Sequence, residues 1–200
     1  MSLGGHRGSC YVPNRYDARP MEITWYGRAC FRLKGKDATV ITDPCPPSTG
    51  FVAGKHDVDL LVTAIRTYHD GEAGKERGEN MIFSFEVDGV HICHLGDLGH
   101  LLTDEQVHEL GPIDVLLVPI GGGTTLTPAE AAEVVSQIGP KIVIPMHFAV
   151  DGGSPDLGAP DKFLHEMATE PIRQPKAQVT PNSLPDETHV VLLEARGRTS

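Results

Sequence analysis

Two mixed β-sheets packed together with helices outside, an α/β architecture in one domain, are what this sequence predicts. Three observations carry the prediction. Short apolar runs of strand type recur along the chain, among them Val58–Ile65, Val90–Leu95 and Ile113–Ile120. They are set off by glycine, proline or polar clusters, as strands bounded by turns are. Among the later runs stand segments of helical type, opened at Thr103 and Thr127 and closed by Gly-Pro pairs. Strand runs interleaved with such helices suit sheets sandwiched between helical layers.

In order, residues 1–20 lack periodicity and form an N-terminal arm, docking through Tyr11, Val12 and Tyr16, ahead of a single domain over 21–200. Glu22–Leu33 is strand, break at Gly27, strand. Lys34–Asp37 is a hairpin turn and Ala38–Thr42 the return strand. Asp43-Pro44 ends it, because proline cannot continue a ladder and restricts the residue before it. Pro44–Gly54 is loop. Val58–Ile65 is a strand of buried type that opens into a polar loop, 66–80, carrying Tyr68, His69 and Asp70. Met81–Val87 and Val90–Leu95 form a hairpin about Asp88-Gly89. Thr103 caps a short helix at Val107–Leu110, stopped by Gly111-Pro112. Ile113–Ile120 is a strand ending in three glycines. Thr127-Pro128 opens a helix through Ile138, with Ala129, Ala132, Val135 and Ile138 at helical spacing. Lys141–Met146 is a strand with His147 at its end, Asp161–Ala168 a helix, and Val190–Leu193 the closing strand.

Composition narrows the function. A length of 200 residues supports one sizeable core. A formal net charge of −10 argues against a nucleic-acid or anionic-membrane binder. The four cysteines form no Cys-x-x-Cys pair, which suits reduced thiols in a cytoplasmic protein. No segment has the length and apolarity of a membrane span. Homo-oligomerisation stays open.

Several strand ends carry unusual polar residues: Arg28, Asp43, the Arg66–Asp70 loop, Asp97 and His147. Ligand sites of α/β proteins gather at such ends. Asp97 follows the strand Val90–Leu95 and Gly96, with His94 and His100 nearby. Its bland reading is an Asx-turn cap; its sharp one is a metal or catalytic carboxylate. Trp25 and Cys93, inside strands, are core residues, and His91, His108, His165 and His189 are surface histidines, as are His6 and His56.

From Met21 to Glu194 the chain resembles the metallo-β-lactamase-fold superfamily, specifically its small cytosolic metal-dependent hydrolases that include the L-ascorbate-6-phosphate lactonase type. The resemblance rests on Ile23–Leu33, Thr42-Asp43-Pro44, the stretch His94–His100, Asp114–Pro119 with Gly121–Gly123, Ala131–Val135 and Ile144–His147. It implies an αββα four-layer sandwich with the site along one edge. It also implies that the carboxylate at Asp97 bridges two metal ions and that His147 binds one of them, so both are candidate catalytic residues. Two divalent ions roughly 3.5–4 Å apart share an acid ligand and lower the pKa of a bridging water.

The chain departs from that pattern at its main cassette. Where the family has His-x-His-x-Asp-His, this sequence has Arg66-Thr67-Tyr68-His69-Asp70-Gly71, and the family's Gly-His-Ser is Gly27-Arg28-Ala29. A guanidinium cannot coordinate a cation but pairs well with Asp97 or Asp43. Two readings follow. In the first, the site holds no metal cofactor and binds an anionic small molecule through Arg28, Asp43, Arg66, Tyr68 and His100. In the second, one Zn or Mn ion is held by Asp97 and His147 with His69 or Asp70 added, in a hydrolase of a small phosphorylated, ester or lactone substrate. A third, purely structural role is the weakest.

Overall fold

The computed structural model of the chain describes residues 20–36, 39–42, 63–150 and 156–196. Residues 1–19 of the N-terminal arm, Asp43, the Pro44–Gly54 loop and positions 58–62 of the expected Val58–Ile65 strand lie outside the described residues.

Two sheets form the body. Strands β1 (Met21–Gly27), β2 (Cys30–Lys34) and β3 (Thr39–Thr42) form an antiparallel meander. β10 (Ala177–Val179) adds antiparallel to β1, giving the order β10-β1-β2-β3. The second sheet has seven strands. They are β4 (Thr63–Tyr68), β5 (Glu79–Val87), β6 (Val90–His94), β7 (Val115–Pro119), β8 (Ile142–Met146), β11 (His189–Leu193) and β9 (Ile172–Gln174), in that spatial order. From β6 through β9 the pairings are parallel, whereas β4–β5 and β5–β6 are antiparallel.

Burial follows those patterns. β7 and β8 are buried at every position, as parallel strands covered on both faces must be. One apolar cluster joins Trp25, Phe31 and Leu33 of the first sheet to Ile82, Ile92 and Leu117 of the second. Cys93 lies in that core, and burial pushes its thiol pKa far up, so it is inert packing. A buried histidine ties the sheets together: His94 Nε2 donates to the Ala29 carbonyl at 2.8 Å while its Nδ1 accepts from Gly96 N at 3.0 Å.

Helices α1 (Asp104–Leu110) and α2 (Pro128–Ile138) each begin with a complete capping box, Thr103 with Gln106 and Thr127 with Glu130. Such a cap is worth about 1 kcal/mol. α2 buries Ala131, Val134 and Val135, with Ala129 exposed, so its inward face is turned from the expected stripe. α3 spans Asp161–Glu166 and packs on α2 through buried Phe163. No helix among the described residues is long and apolar enough to cross a membrane.

Three strands differ from the sequence expectation. β4 runs on through Arg66, Thr67 and Tyr68, where the sequence predicts loop, because these residues pair with Glu79–Met81. β9 and β10 were not foreseen: each is three residues long, too short for a periodic signal, and exists only because a neighbouring strand offers an edge.

Candidate active site at the sheet edge

Topology brings the polar strand ends together. β6, β7 and β8 are parallel, so their carboxyl ends share one edge of the sheet. β4 lies two antiparallel steps from β6, which restores the same direction and brings its end to that edge as well. Asp97, His147 and His69 each follow one of these strands.

Asp97 is the hub. His69 Nε2 lies 3.3 Å from Asp97 Oδ2, and His147 Nε2 lies 3.7 Å from Asp97 Oδ1. Side-chain exposure falls from 37% at Asp97 through 21% at His69 to 9% at His147, so the cluster opens to solvent on the carboxylate side. Three of its atoms are buried without a hydrogen-bond partner: Asp97 Oδ1, His69 Nδ1 and His147 Nδ1. Burial holds the His147 pKa below its ordinary value; the Asp97 charge opposes this, and the Arg28 and His69 charges add to it. A neutral imidazole is thus favoured at His147, the form a metal ligand or a proton acceptor needs.

The Asx-turn reading of Asp97 fails because no backbone N–H among the described residues donates to its carboxylate: Oδ1 has no hydrogen-bond partner and Oδ2 meets His69 Nε2. The Asp97 N–H donates to Asn80 Oδ1 at 2.9 Å. The Asn80 amide nitrogen donates in turn to Thr67 Oγ1 at 2.8 Å and the Leu95 carbonyl at 2.9 Å. Asn80 therefore ties β4, β5 and the β6 end into one junction and leaves the Asp97 carboxylate turned to the imidazoles. Sequence reasoning missed it. The only available signal was an amide on the inward phase of a strand, where Ile82 follows.

Backbone close approach seats the two histidines. Gly99 packs against the carbonyl of His69, and Gly121 against that of His147. His147 sits in the left-handed region at φ 52° and donates its N–H to the Arg28 carbonyl at 3.2 Å. Arg28, in the β1–β2 turn, is itself left-handed at φ 49°. Its carbonyl also accepts from Trp25 Nε1 at 2.8 Å, fixing the turn against the core. For a residue with a Cβ this conformation costs roughly 1–2 kcal/mol.

Four of the candidates make contacts of their own away from Asp97. Asp70 is the capping aspartate of the chain: its carboxylate accepts N–H groups from Glu72, Gly74, Glu76 and Arg77 at 2.7–3.2 Å and is spent inside its own loop. It is not a donor to the cluster; His69, its neighbour, is. Arg66 points away, because strand alternation turns Ile65 and Thr67 inward and Arg66 outward, where it pairs with Glu79 at 3.3 Å. No arginine pairs with Asp97 among the described residues; its partners are imidazoles. Tyr68 and His100 form a strap. Tyr68 N donates to His100 Nε2 at 3.1 Å, and His100 Nδ1 donates to the Leu101 carbonyl at 2.7 Å, which requires the neutral ring. Asp43 lies outside the described residues.

Burial raises the Asp70 pKa, but its four backbone donors outweigh burial and hold the carboxyl below its ordinary value. Its stabilising effect is therefore full above the unfolded pKa of about 4 and is lost as pH falls through the lower folded value. Asp70→Asn is expected to flatten the loss of stability between about pH 5 and pH 2, read from urea midpoints. An unchanged acid slope would refute this assignment.

Donor chemistry at the cluster, two imidazoles and one carboxylate, is of the kind that suits zinc or manganese. The two contacts at 3.3 and 3.7 Å also match the separation of donors sharing one ion. Asp70 is engaged in its own loop, and no group of three or more His, Cys, Asp or Glu side chains among the described residues is poised to hold an ion as it stands. Cavities of 510 and 400 Å³ lie along α3, lined by Asp161 and His165 and by none of the cluster residues.

Comparison with known proteins places this geometry. The model of a beta-lactamase superfamily domain matches residues 22–63 and 52–147. A UPF0173 protein of Pyrococcus abyssi is 28% identical over 196 residues, covering 74% of this chain and 90% of that protein. A UPF0173 metal-dependent hydrolase of Thermococcus onnurineus is 37% identical over 112 residues, 54% of this chain and 50% of that protein. Among solved structures, a Thermotoga maritima protein described as a Zn-dependent hydrolase of the metallo-beta-lactamase superfamily shares 34% identity. The TM-score is 0.70, over 86% of this chain and 98% of that one.

Proposed function

The chain belongs to the β-lactamase superfamily, and from that footing we propose that it is a metal-dependent hydrolase whose centre is reduced to one ion. The observation that carries this reading is the Asp97 carboxylate, which faces an imidazole Nε2 on each of its two oxygens. Relatives named as metal-dependent hydrolases support it. Asp97, His69 and His147 would hold the ion. Zinc or manganese, when bound, supplies Lewis acidity and a hydroxide near neutral pH. The chain's own contribution is to present the donors: Asn80 holds the Asp97 backbone, Gly99 and Gly121 seat the histidines, and burial lowers the His147 pKa. The substrate class is a small molecule with an ester, lactone or phosphorylated group.

A second reading, a metal-depleted protein that binds an anion at the same edge, has its own support. Histidines that ligate metals nearly always hydrogen-bond through their other ring nitrogen. Here both Nδ1 atoms are buried without partners. Elemental analysis of protein purified without added metal, run beside an ester and lactone hydrolysis screen, separates the two. About one ion per chain with hydrolysis is the expected result. Absence of both, with retained anion binding, selects the second reading, and about two ions per chain would overturn each.

A further inference from the structure

Arg28 is costly where it stands. Its φ of 49° favours glycine or asparagine, yet the position carries a long, exposed cationic side chain. Its backbone does structural work through two hydrogen bonds to its carbonyl, from Trp25 Nε1 and His147 N, but any residue offers a carbonyl. Nothing described requires the guanidinium for folding: no ion pair engages it among the described residues, whereas Arg32 pairs with Glu22 and Arg66 with Glu79. A residue retained in a disfavoured conformation beside a site points to a role for its side chain.

Place supplies that role. The Arg28 carbonyl is bonded to the backbone of His147, whose ring meets Asp97, so the guanidinium is rooted one residue contact from the cluster. The cluster opens to solvent on its carboxylate side. A guanidinium is a planar fork of donors that matches a carboxylate or a phosphate, which it binds with two parallel hydrogen bonds.

We infer that Arg28 is the anchor for an oxyanionic group of the substrate, a carboxylate or a phosphate, held beside Asp97 and His147. The inference rests on the reading of the edge as a small-molecule site and adds the charge of what it takes. Arg28 binds and orients; it performs no chemical step.

The test is direct binding, by isothermal titration of the full chain with inorganic phosphate and with acetate at fixed ionic strength, as purified and after chelation. Wild-type protein is expected to bind at least one of the two anions in both states, and the tighter of them identifies the group. Arg28→Gln is expected to weaken that binding by about tenfold or more, the loss of a charge-assisted contact. Arg28→Gly keeps the turn, since glycine suits φ 49°; it should unfold no earlier than wild type while losing the same affinity. Binding of neither anion by wild type, or equal binding by wild type and Arg28→Gly, overturns the inference. Hydrolysis that depends on Asp97 but treats neutral and anionic esters alike in wild type and Arg28→Gln overturns it too, and leaves the hydrolase reading standing.

Discussion

Asp97→Ala is expected to lower hydrolysis by roughly a hundredfold or more and to remove bound metal while leaving the fold intact. The size follows from its position. Partners one shell out from a metal typically cost about 10–100-fold when removed, and Asp97 is the hub itself. Stability should change by less than about 1 kcal/mol, because the carboxylate is partly exposed and makes one long hydrogen bond, to His69 at 3.3 Å. The Asn80 contact uses the backbone N–H of Asp97 and survives the substitution. Metal stoichiometry, turnover and thermal midpoint on one preparation check all three parts. Undiminished turnover with full metal occupancy would move the site elsewhere in the molecule.

Gly121→Ala is expected to act in the opposite manner, through the fold first. A Cβ at this position would drive into the carbonyl oxygen of His147, and the Phe148 Cα stands 3.2 Å away. Both are backbone atoms, so no rotamer relieves the collision. Overpacking of this kind costs about 1–3 kcal/mol, occasionally more. For a chain of this size that is a fall of about 2–12 °C in Tm. Relief requires the His147 segment to withdraw, which takes its Nε2 from Asp97 Oδ1 and lowers turnover with stability. Gly122→Ala is the control: it is left-handed at φ 67° but faces open space, so it strains one residue without pushing on His147. Equal loss from the two variants would mean that backbone conformation, not the approach to His147, is what matters.

Much of this molecule is local and therefore legible along the chain. Gly-Pro stops, hydroxyl caps and apolar runs placed both capped helices and the strands after Met81, β9 and β10 excepted, close to where they lie. His147 directly follows a strand and Asp97 stands three residues past one, and the family resemblance singled both out as site candidates. Trp25 as core, and His91, His108, His165 and His189 as surface, follow from the same patterns.

The partners of those residues were not local. Along the chain, Arg66, Tyr68, His69 and Asp70 stand as equals in one polar stretch. Pairing with β5 decided among them: the two-residue period turned Arg66 out to Glu79, the Tyr68 backbone was taken by His100, and backbone donors of the 72–77 loop closed on Asp70. His69 was left to meet Asp97. Asn80 acquired its role in the same way, from atoms of Thr67, Leu95 and Asp97 that only the assembled sheet brings within 3 Å of its amide. By itself, then, the sequence determined most of the strands, the capped helices and the placing of Asp97 and His147 at strand ends, because propensity, capping and period act over a few neighbouring residues. Which imidazole joins them, and which carboxylate is consumed in its own loop, was decided by the tertiary structure, because hydrogen-bond saturation depends on groups that meet only when distant strands are in register.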